Sequence, residues 1–182
     1  MFTDSKLSGI DEAGRGALAG PLLLASCKLF EDIPGLRDSK ALSEAKREEL
    51  FQKIIQKSQY QILYFEAKEI DELGLSYCLR TGLLSIKRMQ KGSLLFDGNT
   101  DFKAGVATLI KADSKVPCVM AASIIAKVSR DKLMRAWEAK YPNYGFSSHK
   151  GYGSAAHKKA LLSLGPCPLH RRSFLKRFLR NS

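Results

Sequence analysis

Leu7-Ser8-Gly9-Ile10-Asp11-Glu12-Ala13-Gly14-Arg15-Gly16 is the stretch on which the reading of this chain turns. Residues 7–10 are apolar and extended in pattern, two acids follow, and a glycine-arginine-glycine turn closes the segment. A regular strand sends neighbouring side chains to opposite faces. Asp11 and Glu12 can therefore serve one site only if the strand ends or bends between them, and Gly14 and Gly16 permit a bend. Two adjacent acids beside an apolar strand also place charge where the edge of a core would prefer none.

Outward from that segment the chain alternates extended and helical patterns. Residues 21–30 read as a second apolar strand, and Ser43 as the N-cap of a helix whose Leu50, Ile54 and Lys57 track one face up to Ser58. A strand is expected over 61–65 and a long helix over 69–89, interrupted by Gly74 and Gly82. Residues 93–96 form a short strand running into Asp97-Gly98-Asn99, and 105–110 another that ends near Asp113. A helix follows from Pro117 to about Ala139, stopped by Tyr141-Pro142-Asn143. Aromatic, basic and glycine residues then share 141–153, ahead of a short helix over 155–164 and a basic tail. The alternation predicts an α/β or α+β fold with a mixed central sheet. With no internal repeat or low-complexity linker, residues 1–182 are expected to form a single domain.

Charge divides the chain unevenly. Residues 1–110 hold 15 Lys+Arg against 15 Asp+Glu, whereas 111–182 hold 15 against 3, so the whole net charge of +12 lies in the last portion. A neutral part followed by a strongly basic one points to a polyanionic partner, nucleic acid being the commonest. The polar start Met1-Phe2-Thr3-Asp4-Ser5-Lys6 lacks an apolar core for a secretion signal, and no window approaches a membrane span. Cys27, Cys78, Cys118 and Cys167 form no C-x-x-C pair, which argues against a zinc site or disulfide framework and for a cytoplasmic protein with reduced thiols.

Asp97 and Asp113 sit where two later strands are expected to end, so they can converge with Asp11 and Glu12 on one sheet edge. Four acids together would repel. Divalent cations resolve the repulsion: hard carboxylate oxygens suit Mg²⁺ or Mn²⁺, and a two-metal site of this kind supports phosphodiester cleavage. Singly, each acid has a plainer role, with Asp97 as a turn former before Gly98-Asn99 and Asp113 as a cap ahead of the following helix. Gly14, Gly16 and Ala19 also match a loose G-x-G-x-x-A dinucleotide fingerprint. That use wants a helix N-terminus without adjacent anions, whereas Asp11-Glu12 precede these glycines and Pro21 with a leucine run follows them.

Taken together, these residues resemble the bacterial ribonuclease HII family. The likeness is carried by residues 9–16 with Leu18-Ala19-Gly20-Pro21, by Asp38-Ser39-Lys40, by Asp97-Gly98-Asn99, and by Asp113-Ser114 with residues 121–131. Tyr144-Gly145-Phe146, His149-Lys150-Gly151-Tyr152 and His170-Arg171-Arg172-Ser173-Phe174 complete it in the family's order. Gly14-Arg15-Gly16 and an aspartate at 113 look like type HII and unlike the related type HIII, for whose extra N-terminal domain the chain has no room.

The resemblance implies a ribonuclease H-like fold, α/β, with a mixed central sheet flanked by helices and a helical C-terminal part. It implies an endonuclease that cuts on the 5′ side of a ribonucleotide in RNA–DNA hybrids or in duplex DNA, leaving a 3′-hydroxyl and a 5′-phosphate. Asp11, Glu12, Asp97 and Asp113 would hold two Mg²⁺ or Mn²⁺ ions and carry the catalysis. Gly14-Arg15-Gly16 would read the 2′-hydroxyl, the one group that separates the substrate sugar from its DNA neighbours, and Tyr152 would pack on that sugar. Lys40 and the i, i+4, i+7 stripe of Ser123, Lys127 and Arg130 are candidates for phosphate contacts. Arg171, Arg172, Lys176, Arg177 and Arg180 read as a DNA-gripping tail, and His149, His157 and His170 as loop residues near phosphate. A monomer is expected, and a replication clamp is a candidate partner.

A non-catalytic nucleic-acid-binding module would share the basic C-terminal part, but it would have no use for four acids.

Overall fold

A computed structural model describes residues 6–180, with side chains described through Lys176. The polar start at 1–5 and the side chains of Arg177 and Arg180 lie outside the described residues. The core is a five-stranded mixed sheet in the order β3-β2-β1-β4-β5. β1 (Leu7–Ala13) occupies the centre, antiparallel to β2 (Leu22–Leu29) and parallel to β4 (Ser93–Asp97). β3 (Ser58–Phe65) closes one edge, and the short β5 (Ala107–Leu109) the other.

Both faces of the sheet are covered, which explains why β2 is buried nearly throughout and shows no polar alternation. α1 (Glu44–Gln56) and α4 (Pro117–Lys140) cover one face, packing Leu50, Ile54, Val119, Ala122 and Ile125 against Ala13, Ala25 and Cys27. α3 (Leu75–Met89) covers the other with Cys78, Leu79, Leu83 and Ile86 against Ile10, Leu22, Leu24 and Phe96. Gly9 faces α4, and a Cβ there would collide with the Cys118 carbonyl and the Val119 nitrogen, so glycine lets the helix lie directly on β1. That close approach carries α4 alongside Asp11.

The expected long helix over 69–89 is two helices, α2 (Ala67–Leu73) and α3, divided at Gly74, whose φ of 85° only glycine adopts readily. Gly82 does not interrupt α3; it makes room for the Leu24 and Phe65 side chains. β3 begins three residues before the expected strand because Ser58 continues the pairing opposite Leu29. Pro117 starts α4 as expected. α5 (Phe146–His149), α6 (Ala155–Leu164) and α7 (Arg172–Arg180) make the helical C-terminal part. Asp71 of α2 accepts from the backbone N–H groups of Arg172 and Ser173 at 2.7 and 3.0 Å, fastening the start of α7 to the body.

Candidate active site

Parallel pairing sets Ile10 of β1 opposite Phe96 of β4, so the following residues, Asp11 and Asp97, leave the sheet side by side. Asp113 reaches them by another route. It lies not at a strand end but on a 3₁₀ turn (Ala112–Ser114) between β5 and α4, and the Ala112 N–H donates to Asp97 Oδ1 at 2.7 Å. One carboxylate oxygen from each of Asp11, Asp97 and Asp113 lies within 4.8 Å of the others.

Glu12 enters differently from the sequence expectation. β1 stays regular past both acids, with Glu12 opposite Leu24 and Ala13 opposite Leu23, and the chain turns only at Gly14, where φ is 90°. The pleat starts Asp11 and Glu12 towards opposite faces, but β1 ends at Ala13, one residue beyond Glu12, and both side chains line one cleft without the expected bend between them. Glu12 sits beside the three aspartates, its Oε1 held by Arg15 Nη1 at 3.4 Å, while its Oε2 is buried without a hydrogen-bond partner.

The electrostatics match the geometry. Burial first, then Glu12, raises Asp11 well above the usual carboxylate range. Burial also raises Glu12, with Arg15 pulling the other way, and it raises Asp97, to which repulsion from Asp113 adds. Lys40, which burial alone would lower, is raised by its 3.1 Å hydrogen bond to Asp113 Oδ2. Asp38 caps the 3₁₀ turn Ser39–Ala41 through the Lys40 N–H at 2.9 Å, which aims the lysine at the acids.

Asp11, Glu12, Gly14, Arg15, Gly16, Lys40, Asp97, Ser123, Lys127 and Tyr152 line one cleft of about 440 Å³. Lys127 pairs with Asp131 at 2.9 Å and lies 5.9 Å from the Tyr152 ring centre. Ser123 is buried and donates to the Met120 carbonyl at 2.9 Å. Sequence reasoning missed Ser39, which also lines the cleft, and Asp131, although both sit in motifs it had singled out.

The two glycines of the turn differ. A Cβ on Gly14 would run into the Arg130 side chain and the Pro21 carbonyl, so the fold itself requires glycine there. At Gly16 φ is unexceptional and a Cβ would meet nothing within 4 Å, so no part of the chain needs glycine at this exposed cleft position.

Arg130 is not a phosphate contact. It is fully buried, and its Nε, Nη2 and Nη1 donate to the carbonyls of Pro21, Ala19 and Lys150 at 2.9, 2.9 and 2.8 Å. Arg171 likewise leaves the gripping tail: fully buried, it donates to the Gly20 and Arg15 carbonyls at 3.0 and 3.2 Å. Arg172 and Lys176 are exposed. His157 and His170 are buried against Phe146 and are not phosphate neighbours, and His149 stacks on His157 at 4.2 Å.

A group of oxygen ligands from three buried or half-buried aspartates, with an orphaned buried glutamate oxygen next to it, is the donor set of a hard divalent cation. Burial raises Asp11, Glu12 and Asp97, repulsion from neighbouring carboxylates adds to each, and a bound cation would offset both.

The ribonuclease HII family model matches residues 8–177. This chain belongs to the ribonuclease HII family. Ribonuclease HII of Campylobacter concisus (strain 13826) is 53% identical over 172 residues, covering 94% of each chain. The chain resolved in the PCNA:RNase HII complex from Archaeoglobus fulgidus superposes with a TM-score of 0.82 at 26% identity, over 93% of this chain and 94% of that one. Ribonuclease H2 from Pyrococcus horikoshii OT3 superposes with a TM-score of 0.77 at 29% identity, over 96% and 99%. Ribonuclease HII membership makes the chain a divalent-metal-dependent endoribonuclease of the ribonuclease H type, and the acidic edge of the sheet is where that chemistry has ligands.

Proposed function

We propose that the chain, acting as one ribonuclease H-like domain, hydrolyses the phosphodiester on the 5′ side of a ribonucleotide. Its substrates are RNA–DNA hybrids and duplex DNA containing embedded ribonucleotides, and its products end in a 3′-hydroxyl and a 5′-phosphate. The observation that carries the reading is the acidic edge, where Asp11, Asp97 and Asp113 crowd within 4.8 Å beside the unpartnered Glu12 Oε2. These four carboxylates are the ligands for two Mg²⁺ or Mn²⁺ ions. When bound, such ions activate water and stabilise the leaving oxygen.

The chain's own residues do the rest. Lys40 and Lys127 line the cleft with the acids and can each hold a phosphate oxygen, and Ser123 adds a buried hydroxyl to the same lining. Gly14-Arg15-Gly16 brings backbone close to the sugar, with open space in front of Gly16. Tyr152, 39% exposed, presents its ring at the rim as a platform for the ribose. Arg172 and Lys176 give sequence-independent phosphate grip. The relative from A. fulgidus was resolved with PCNA, which supports a replication clamp as a partner here too. No helix among the described residues is long and apolar enough to cross a membrane.

The test is a duplex carrying one ribonucleotide, incubated with Mg²⁺ or Mn²⁺. The expected product is a nick immediately 5′ to that residue. Absence of cleavage with both metals would sink the proposal, and cleavage on the 3′ side would refute its chemistry.

A further inference from the structure

We infer that His157 and His170 are positioning residues for Tyr152, forming a proton-ordered relay that fixes where the tyrosine meets the substrate sugar. The inference rests on the role proposed above for Tyr152. His170 Nδ1 lies 3.0 Å from the Cys167 backbone N–H, which can only donate, so this nitrogen must accept. The Cys167 carbonyl, 3.2 Å from the same nitrogen, is the longer contact, and the Tyr152 end of the pair decides between the two. The Cys167 thiol, 3.2 Å away and held protonated by burial, is a second donor to Nδ1. Neutral His170 therefore carries its hydrogen on Nε2.

That Nε2–H points at His157 Nε2, 3.0 Å away, which must accept. His157 consequently carries its hydrogen on Nδ1, 2.9 Å from the Tyr152 carbonyl, which can only accept. Reasoning from the Tyr152 end gives the same arrangement, so a backbone donor at one end and a backbone acceptor at the other select one tautomer for both rings. Burial of both histidines, with ring contacts to Phe146, removes water as an alternative partner.

The relay completes the hold on one short loop. Gly151 accepts from the Leu18 and Ala19 N–H groups at 2.8 and 3.2 Å, and the Tyr152 N–H donates to the His149 carbonyl at 2.9 Å. The Tyr152 carbonyl receives the Ser154 N–H at 2.8 Å as well as His157. His170 pairs across an isolated bridge with Ala19, in the segment that follows Gly14-Arg15-Gly16. The histidines thus tie the sugar platform to the turn that reads the 2′-hydroxyl, and the spacing between the two is what a ribose must fit.

Two measurements test this. In wild type, long-range imidazole ¹H–¹⁵N spectra at pH 7 should show His157 protonated on Nδ1 and His170 on Nε2; the opposite tautomer at either ring overturns the relay without any assay of cleavage. In kinetics on the one-ribonucleotide duplex, His157→Phe keeps the ring packing and removes both polar contacts. It should raise KM by about tenfold, the worth of one well-placed hydrogen bond, with the loss absent from kcat. His157→Asn, whose amide can replace the Nδ1 donor, should restore most of it.

In a Tyr152→Ala background, His157→Phe should cost nothing further, because its effect passes through the tyrosine. A full additional loss there, or wild-type KM in folded His157→Phe, overturns the inference. If His157→Phe does not fold, His170→Gln, which keeps an Nε2 donor, and His170→Leu, which lacks it, take its place with the same expected split. Failure of wild type to cut the duplex would instead break the proposed function and leave the tautomer measurement standing.

Discussion

The acidic edge and the strap that Arg130, His157 and His170 form around the Tyr152 loop meet at one cleft and are built on opposite principles. At the edge, Asp11, Asp97 and Asp113 face one another and Glu12 Oε2 has no partner. In the strap, Arg130 and the two histidines donate to or accept from named neighbours at 2.8–3.0 Å, with little left unmet. Under the proposed function, a cation and substrate complete the edge. The strap is complete so that nothing there shifts when they arrive. Catalytic capacity resides in unsatisfied groups and discrimination in satisfied ones.

The comparison can be broken most forcefully at Asp11. Asp11→Asn should cut the cleavage rate by on the order of 10³-fold or more, while raising the metal-free melting temperature. Each kcal/mol of relieved repulsion should appear as about 2–4 °C in a thermal scan without divalent ions. An unchanged or lowered melting temperature would mean that the edge is not under electrostatic load.

Arg130→Met attacks the other side. It strips three buried carbonyls of their donor and should destabilise the protein by about 3–5 kcal/mol in urea unfolding, with no gain in metal-free stability. Gly14→Ala and Gly16→Ala sharpen the contrast within one turn. The former should unfold more easily because its Cβ meets Arg130. The latter should melt like wild type yet lose about tenfold in kcat/KM, as its new methyl occupies space a sugar needs. Equal melting losses in both would refute that division.

A further way to sharpen the comparison is acid stability. Burial lowers His157 to about 4, and His149 and His170 are the titratable groups that face it. An unfolded histidine takes up its proton near pH 6.5, so between there and about 4 the unfolded chain binds more protons than the folded one. This contribution to stability is whole above pH 6.5 and is lost as the pH falls towards 4, a slope that His157→Asn should flatten in pH-dependent unfolding.

Much of this was legible in the sequence, and the exceptions share a cause. β1, the aspartate closing β4, the Pro117 start of α4 and α6 follow from local pattern and turn chemistry, which act over a few residues. Arg130 was misjudged because its i+7 spacing from Ser123 suits a solvated stripe, while its acceptors at Ala19 and Pro21 come from a segment about 110 residues earlier. The histidine relay is invisible to periodicity, since its members sit in loops and a helix start with no shared repeat. The bend expected between Asp11 and Glu12 is absent because pairing with Leu24 and Leu23 holds β1 straight until Gly14.

The parallel pairing of β1 with β4, and the Arg171 contact with the Gly20 and Arg15 carbonyls, have a consequence during synthesis. Asp11 and Glu12 are made first, Asp97 and Asp113 about a hundred residues later, and Arg171 later still. The bracing of the Gly14-Arg15-Gly16 turn by Arg171 therefore comes about sixty residues after the last of the four acids has been made, so the sheet edge can assemble before the turn beside it is fixed.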